Sequence, residues 1–159
     1  MQPKPFKPVP AGIEGPFYRD SVSGSVWHMC ETRTLYADTD RSNVVYHSNY
    51  LRYFEMGRSS LMRDTGYPYR EVEESGYVYP VIDLGMQFFQ PLRYDDQIRI
   101  FTRPAELERV RVRFDYVITL AENGKTVCKG YTKHCALNPA GRPVAVDTKT
   151  VHMWKTFPG

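Results

Sequence analysis

This chain is poor in the features that mark a disulfide scaffold, a membrane protein or a metal centre. Its three cysteines, Cys30, Cys128 and Cys135, are odd in number and never stand as C-x-x-C, which argues against both a disulfide framework and a thiolate zinc site. No stretch approaches the ~18 consecutive apolar residues of a spanning helix. Lys4, Lys7 and Glu14 break up the N-terminal segment, so a signal-peptide apolar region is not expected there. A protein of the reducing cytoplasm is the expectation. Charge of one sign is also scarce: 21 Lys and Arg face 18 Asp and Glu, leaving +3. A nucleic-acid partner is therefore not expected, although a local basic patch for a small anion is compatible with that balance. His28, His47, His134 and His152 lack metal-ligand spacing, and no metal site is expected.

What the chain does contain is patterned. It is 42% hydrophobic and 14% aromatic over 159 residues, enough for one folded core. Five of the twelve prolines fall within the first 16 residues. Proline fixes φ and lacks an N–H, so this stretch cannot supply a regular helix or a central strand. Residues 1–25 therefore read as an arm, mobile or laid over the body, and residues 26–159 as the domain. Met29–Leu35 is a plausible first strand.

A helix pattern follows a polar loop. Tyr50, Phe54, Gly57 and Leu61 recur at the spacing of one helix face. Ser48 or Asn49 suits the N-cap, and Gly66 with Pro68 closes the helix. Glycine in the middle of the apolar face costs about 1 kcal/mol in helix propensity, which predicts a helix pressed closely onto a sheet. After Gly76 the period becomes two, giving strands over Tyr77–Phe89, Gln97–Arg103, Arg109–Leu120 and Lys125–Leu137, with Asn123-Gly124 as a hairpin signal. Consecutive strands imply an antiparallel meander. The fold class is α+β.

The densest run of chemically able residues is Asp38 to Tyr50, which joins a strand to a helix N-terminus. Such a terminus offers unpaired N–H groups and partial positive charge, and a carboxylate beside it pairs a base or nucleophile with an anion stabiliser. The same residue types also cap and turn, so spacing alone leaves both readings open.

The run D-T-D-x-x-x-V-V-Y-H-x-N-Y-x-x-Y-F-E-x-G-R, Asp38 to Arg58, resembles the signature of the hotdog-fold acyl-CoA thioesterases of the 4-hydroxybenzoyl-CoA thioesterase type. Q-P-L-R-Y-D-D, Gln90 to Asp96, resembles that family's strand-connecting segment. The resemblance covers about Glu31 to Asp147. It implies a single hotdog domain, an antiparallel sheet wrapped around one long helix at Ser48–Asp64. It also implies a homodimer or homotetramer with active sites at the subunit interface, an acyl-CoA substrate and no cofactor. By the same resemblance Asp40 is the catalytic carboxylate, and the backbone amide of His47 binds the thioester carbonyl oxygen. The departure lies at Asn43, where many relatives have glycine; asparagine best tolerates the left-handed backbone such a turn requires.

Thioester hydrolysis suits so spare a site. The leaving thiol has a pKa near ~8.5, so no strong general acid is needed. The carboxylate attacks the carbonyl directly or activates water, and the weak basicity of carboxylates leans toward direct attack. Tyr46 is a candidate substrate contact. Arg109, Arg111 and Arg113, on alternate residues, form either a solvated sheet face or a site for coenzyme A phosphates. Asp38 is expected to stabilise the loop, Asp95-Asp96 to make a turn, and Glu55 with Arg58 to make a helix ion pair. Two rivals share the cleft: a hotdog hydratase or dehydratase, and a non-catalytic acyl-CoA or acyl-carrier binding module.

Overall fold

The computed structural model describes residues 2–159. Seven strands form one antiparallel sheet: β1 Pro8–Pro10, β2 Phe17–Asp20, β3 Val26–Arg33, β4 Val81–Phe88, β5 Gln97–Leu107, β6 Arg111–Leu120 and β7 Thr126–Cys135. Three helices accompany them, α1 Tyr50–Asp64, α2 Tyr69–Glu74 and α3 Thr148–Thr156. The spatial order is β1-β2-β3-β5-β6-β7-β4. This is the hotdog arrangement, with α1 laid across the sheet. Among the described residues no helix is long and apolar enough to cross a membrane.

The helix forms where its apolar spacing indicates. Tyr50, Tyr53, Phe54, Gly57, Leu61 and Met62 are buried. Its start is later than expected: His47–Asn49 is a 3-10 turn, and Asn49 gives no side-chain cap. Its end is a left-handed stop. Gly66 sits at φ 89°, with Gly66 N–H on Arg63 O and Tyr67 N–H on Met62 O, which satisfies two otherwise orphaned carbonyls. Phe54 stacks on Tyr116 of β6 with ring centroids 4.3 Å apart and planes 6° from parallel.

The meander holds only in part. β5, β6 and β7 follow one another, but β4 pairs with β7 at the far edge, while β5 lies between β3 and β6. The Phe89–Asp96 connection therefore carries the chain from the edge of the sheet back to its centre. Alternation within β6 places Val112, Phe114, Tyr116 and Ile118 in the main core. The opposite sheet face has its own cluster, Trp27, Phe101 and Val117, covered by Phe6 and Tyr18. Phe6 meets Trp27 and Phe101 edge-on at 5.4 and 5.0 Å. The proline-rich segment thus contributes two short strands at the sheet edge, where missing N–H groups do least harm.

Gly57 marks the closest approach of helix and sheet. A Cβ there would run into Thr102 Oγ1 and stand 2.7 Å from Ile100 Cγ2, both on β5. Gly57→Ala should gain about 1 kcal/mol in helix propensity and lose about 1–3 kcal/mol to overpacking. A net fall in midpoint on urea unfolding is expected; an unchanged or higher midpoint would show that the interface has room.

Candidate active site

The loop between β3 and α1 is organised around a buried carboxylate. Asp38 is 1% exposed. Its Oδ1 accepts Arg52 Nη1 at 2.6 Å, and its Oδ2 accepts Tyr53 Oη at 2.8 Å and the Leu35 N–H at 2.9 Å. Its carbonyl oxygen takes the Tyr46 N–H at 2.9 Å and Asn49 Nδ2 at 2.8 Å. Burial alone would raise the carboxyl pKa, but these donors and the Arg52 charge hold it below the usual carboxylate range. Burial, and then the hydrogen bond to Asp38 and its charge, raise the Tyr53 phenol above its ordinary value.

Two residues on, the chain turns outward. Asp40 is exposed, its N–H donates to Val44 O at 2.9 Å, and its carbonyl accepts the Asn43 N–H at 3.0 Å. Asn43 adopts φ 62°, so asparagine supplies the left-handed corner. The Asp40 carboxylate accepts the Ser42 N–H on Oδ1 at 2.8 Å, an aspartate turn that aims the side chain. A Thr39–Val45 bridge closes the loop, and the Val45 N–H donates to Leu92 O at 2.8 Å. The Gln90–Asp96 segment is thereby joined to the loop. It is tied to β3 as well, since Thr34 Oγ1 donates to Arg93 O and accepts the Asp96 N–H. Asp95, at φ 64°, makes the expected turn.

His47 opens the 3-10 turn ahead of α1, and its N–H donates to no acceptor among the described residues. Tyr46 and His47 are both exposed, with ring centroids 4.3 Å apart. The structure therefore sets an exposed carboxylate and a free helix-terminal amide on one clamped loop. Asn49 takes the N-cap position of α1, as expected, but makes no side-chain capping hydrogen bond; its side chain instead ties the first turn to Asp38.

The arginines stand elsewhere. Arg109 lies in the turn before β6, outside the strand. Arg111 approaches Glu108 at 3.7 Å, and Arg113 is held by Asp115 at 2.8 Å above the Tyr131 ring. The Asp40 loop is anchored near the Gln97 end of β5, whereas Arg111 begins β6 at the other end, roughly 30 Å away along the strand. One subunit does not bring them together. The expected Glu55–Arg58 ion pair is also absent among the described residues, because Arg58 turns inward to donate to Tyr116 Oη at 2.9 Å. Sequence reasoning missed the carboxylate that caps α3. Asp147 accepts Thr150 N–H at 3.1 Å and Tyr67 Oη at 3.0 Å, and only its place before a short amphipathic run signalled it. No cluster of three or more His, Cys, Asp or Glu that could hold a metal occurs among the described residues.

Residues 34–153 match the model of the thioesterase-like superfamily. The chain belongs to that family. It is 28% identical to the acyl-CoA thioester hydrolase YbgC of Escherichia coli over 57% of this chain and 68% of that protein. Among solved structures it resembles a hypothetical protein of Aquifex aeolicus, AQ1494, at TM-score 0.75 and 28% identity, covering 79% of this chain and 98% of that one. A DHNA-CoA thioesterase of Staphylococcus aureus superposes at TM-score 0.76 with 26% identity, covering 82% and 89%. Membership places the chain among the thioester hydrolases.

Replacing Asp38 with Asn removes the charge that gathers Arg52, Tyr53 and Leu35. The expected loss is about 1–3 kcal/mol of unfolding free energy, the scale of hydrogen bonds to a charged group. Denaturant titration checks it; wild-type stability would show that the loop does not depend on this carboxylate.

Proposed function

We propose that this protein hydrolyses acyl-CoA thioesters, with Asp40 as the reacting carboxylate and the His47 N–H as the oxyanion donor. The observation that carries the reading is the placement of an exposed, aimed carboxylate and a helix-terminal amide with no acceptor among the described residues on one hydrogen-bonded loop. The thioester carbonyl oxygen sits on the His47 amide, where the helix terminus favours developing negative charge. One Asp40 oxygen is engaged by Ser42 and the other has no partner among the described residues, which suits direct attack on the carbonyl carbon. The C–S bond then breaks, coenzyme A leaves as thiolate, and water cleaves the mixed anhydride to restore the carboxylate. Attack by a water that Asp40 deprotonates is the alternative route to the same acid and thiol.

The working unit is a homodimer or a homotetramer built from it, in the reducing cytoplasm, where the three free cysteines remain thiols. One sheet edge, β1, is three residues long and carries Pro8 and Pro10, which blunts it. The other, β4, is eight residues long and exposes Val81, Ile82, Leu84 and Phe88. Pairing of two β4 edges would cover them and bring a second subunit's arginines toward the Asp40 loop. Arg109, which has no ion pair among the described residues, would then be open to a coenzyme A phosphate.

The acyl group is the finer question. The Asp38–Arg58 signature resembles the 4-hydroxybenzoyl-CoA type, while a relative in Thermosynechococcus vestitus, 29% identical over 64% of this chain, is named a 1,4-dihydroxy-2-naphthoyl-CoA hydrolase. Thiol release from aryl and aliphatic acyl-CoAs, followed with a thiol reagent, tests activity and acyl preference together. Asp40→Asn keeps an acceptor for Ser42, so it should fold, bind substrate and lose roughly 10²–10⁴ in kcat. Near-normal turnover by that variant would remove Asp40 from the mechanism. No thiol release from any acyl-CoA would favour the binding-module reading.

A further inference from the structure

A cavity of about 310 Å³ lies between α1, the start of β4, β6, β7 and α3. That is the lower end of the volumes occupied by small-molecule sites, ~300–1,000 Å³. Its walls are largely apolar, with Met62, Val112, Phe114 and Met153 among them. The Trp154 indole borders the cavity, but its Nε1 is turned away into the packing, with no hydrogen-bond partner among the described residues. Arg58 is the donor in this lining with N–H groups to spare. Arg58 is half-buried, gives one N–H to Tyr116 Oη and forms no salt bridge among the described residues.

His134, which also lines the cavity, adds no charge. Both ring nitrogens are engaged, by Thr132 Oγ1 at 2.8 Å and Tyr79 O at 2.9 Å. Burial, and then the nearby Arg58 charge, push its imidazole down to about 4, so it is neutral near pH 7. Glu55 borders the cavity as well, but it is an exposed residue. The lining thus presents one positive charge, with no salt-bridge partner among the described residues, within a largely apolar shell. A half-buried guanidinium with N–H groups to spare is matched by a ligand that brings its own anionic acceptor.

We propose that this cavity binds a carboxylate carried on an apolar, aryl-sized body, with the carboxylate on Arg58. The body rests against Met62, Phe114 and Met153. Arg58 lies eleven residues past His47, roughly 17 Å along the helix axis, so within one subunit this is a second site. The carboxylate has two sources, a free carboxylic acid or the far end of a thioester's acyl group.

Trp154 is its own reporter once the chain's other tryptophan is replaced by Trp27→Phe. Benzoate and 4-phenylbutyrate should change its fluorescence saturably and bind at least tenfold more tightly than their amides. Arg58→Gln should erase that tenfold advantage, and Glu55→Gln should preserve or increase it. Absence of saturable binding by either acid, or equal affinity for acid and amide, would overturn the proposal, and neither result needs the Arg58 variant to fold. Matched acyl-CoAs with and without a distal carboxylate separate the sources. A tenfold preference in kcat/KM that Arg58→Gln abolishes identifies the acyl end. Acid binding without that preference, persisting in Asp40→Asn, identifies the free acid. Because binding is read without turnover, failure of the hydrolase reading would leave the fluorescence result standing.

Discussion

The buried carboxylate of Asp38 is the constraint on which the candidate site depends. A carboxylate at 1% exposure persists as an anion only when its oxygens are satisfied, and Arg52, Tyr53 and Leu35 do this from the helix and the loop. The same residue's carbonyl holds Tyr46 and Asn49 on the other side of the turn. One residue thus fixes where β3 ends, how the loop folds and where α1 begins. Asp40 can be exposed and available because Asp38 is not.

That division of labour was only half legible in the sequence. Both aspartates sit in a polar loop, and spacing alone gives no reason to bury one and expose the other; resemblance to a known signature separated their roles. Asn43 was legible, because the left-handed tolerance of asparagine is a local property and the φ of 62° uses it. So was α1, whose apolar spacing follows from its own 3.6-residue period.

Non-local features were harder to read. The partner of β4 depends on how the Phe89–Asp96 connection crosses the sheet, and alternation cannot specify that. Arg58 reads as half of a surface pair with Glu55, yet it turns inward because Tyr116, 58 residues away, presents a hydroxyl. The arginines before and on β6 alternate correctly, but Arg109 falls in a turn and Arg113 is occupied by Asp115. α3 is short, and its cap at Asp147 draws its partners Tyr67 and Tyr79 from distant segments.

The oxyanion role of the His47 amide is the central claim, and proline substitution tests it most directly. Tyr46 already has φ −67° and ψ 137°, the geometry favoured before proline, and His47 occupies the first helical position, where proline is well tolerated. The deleted N–H has no acceptor among the described residues, so His47→Pro should fold, as circular dichroism and thermal melting would verify. Its kcat for a competent acyl-CoA should fall by roughly 10²–10³, the typical loss of one oxyanion donor, while His47→Ala should lose about tenfold at most. Wild-type turnover by a folded proline variant would contradict the account, and so would an alanine variant as damaged as proline.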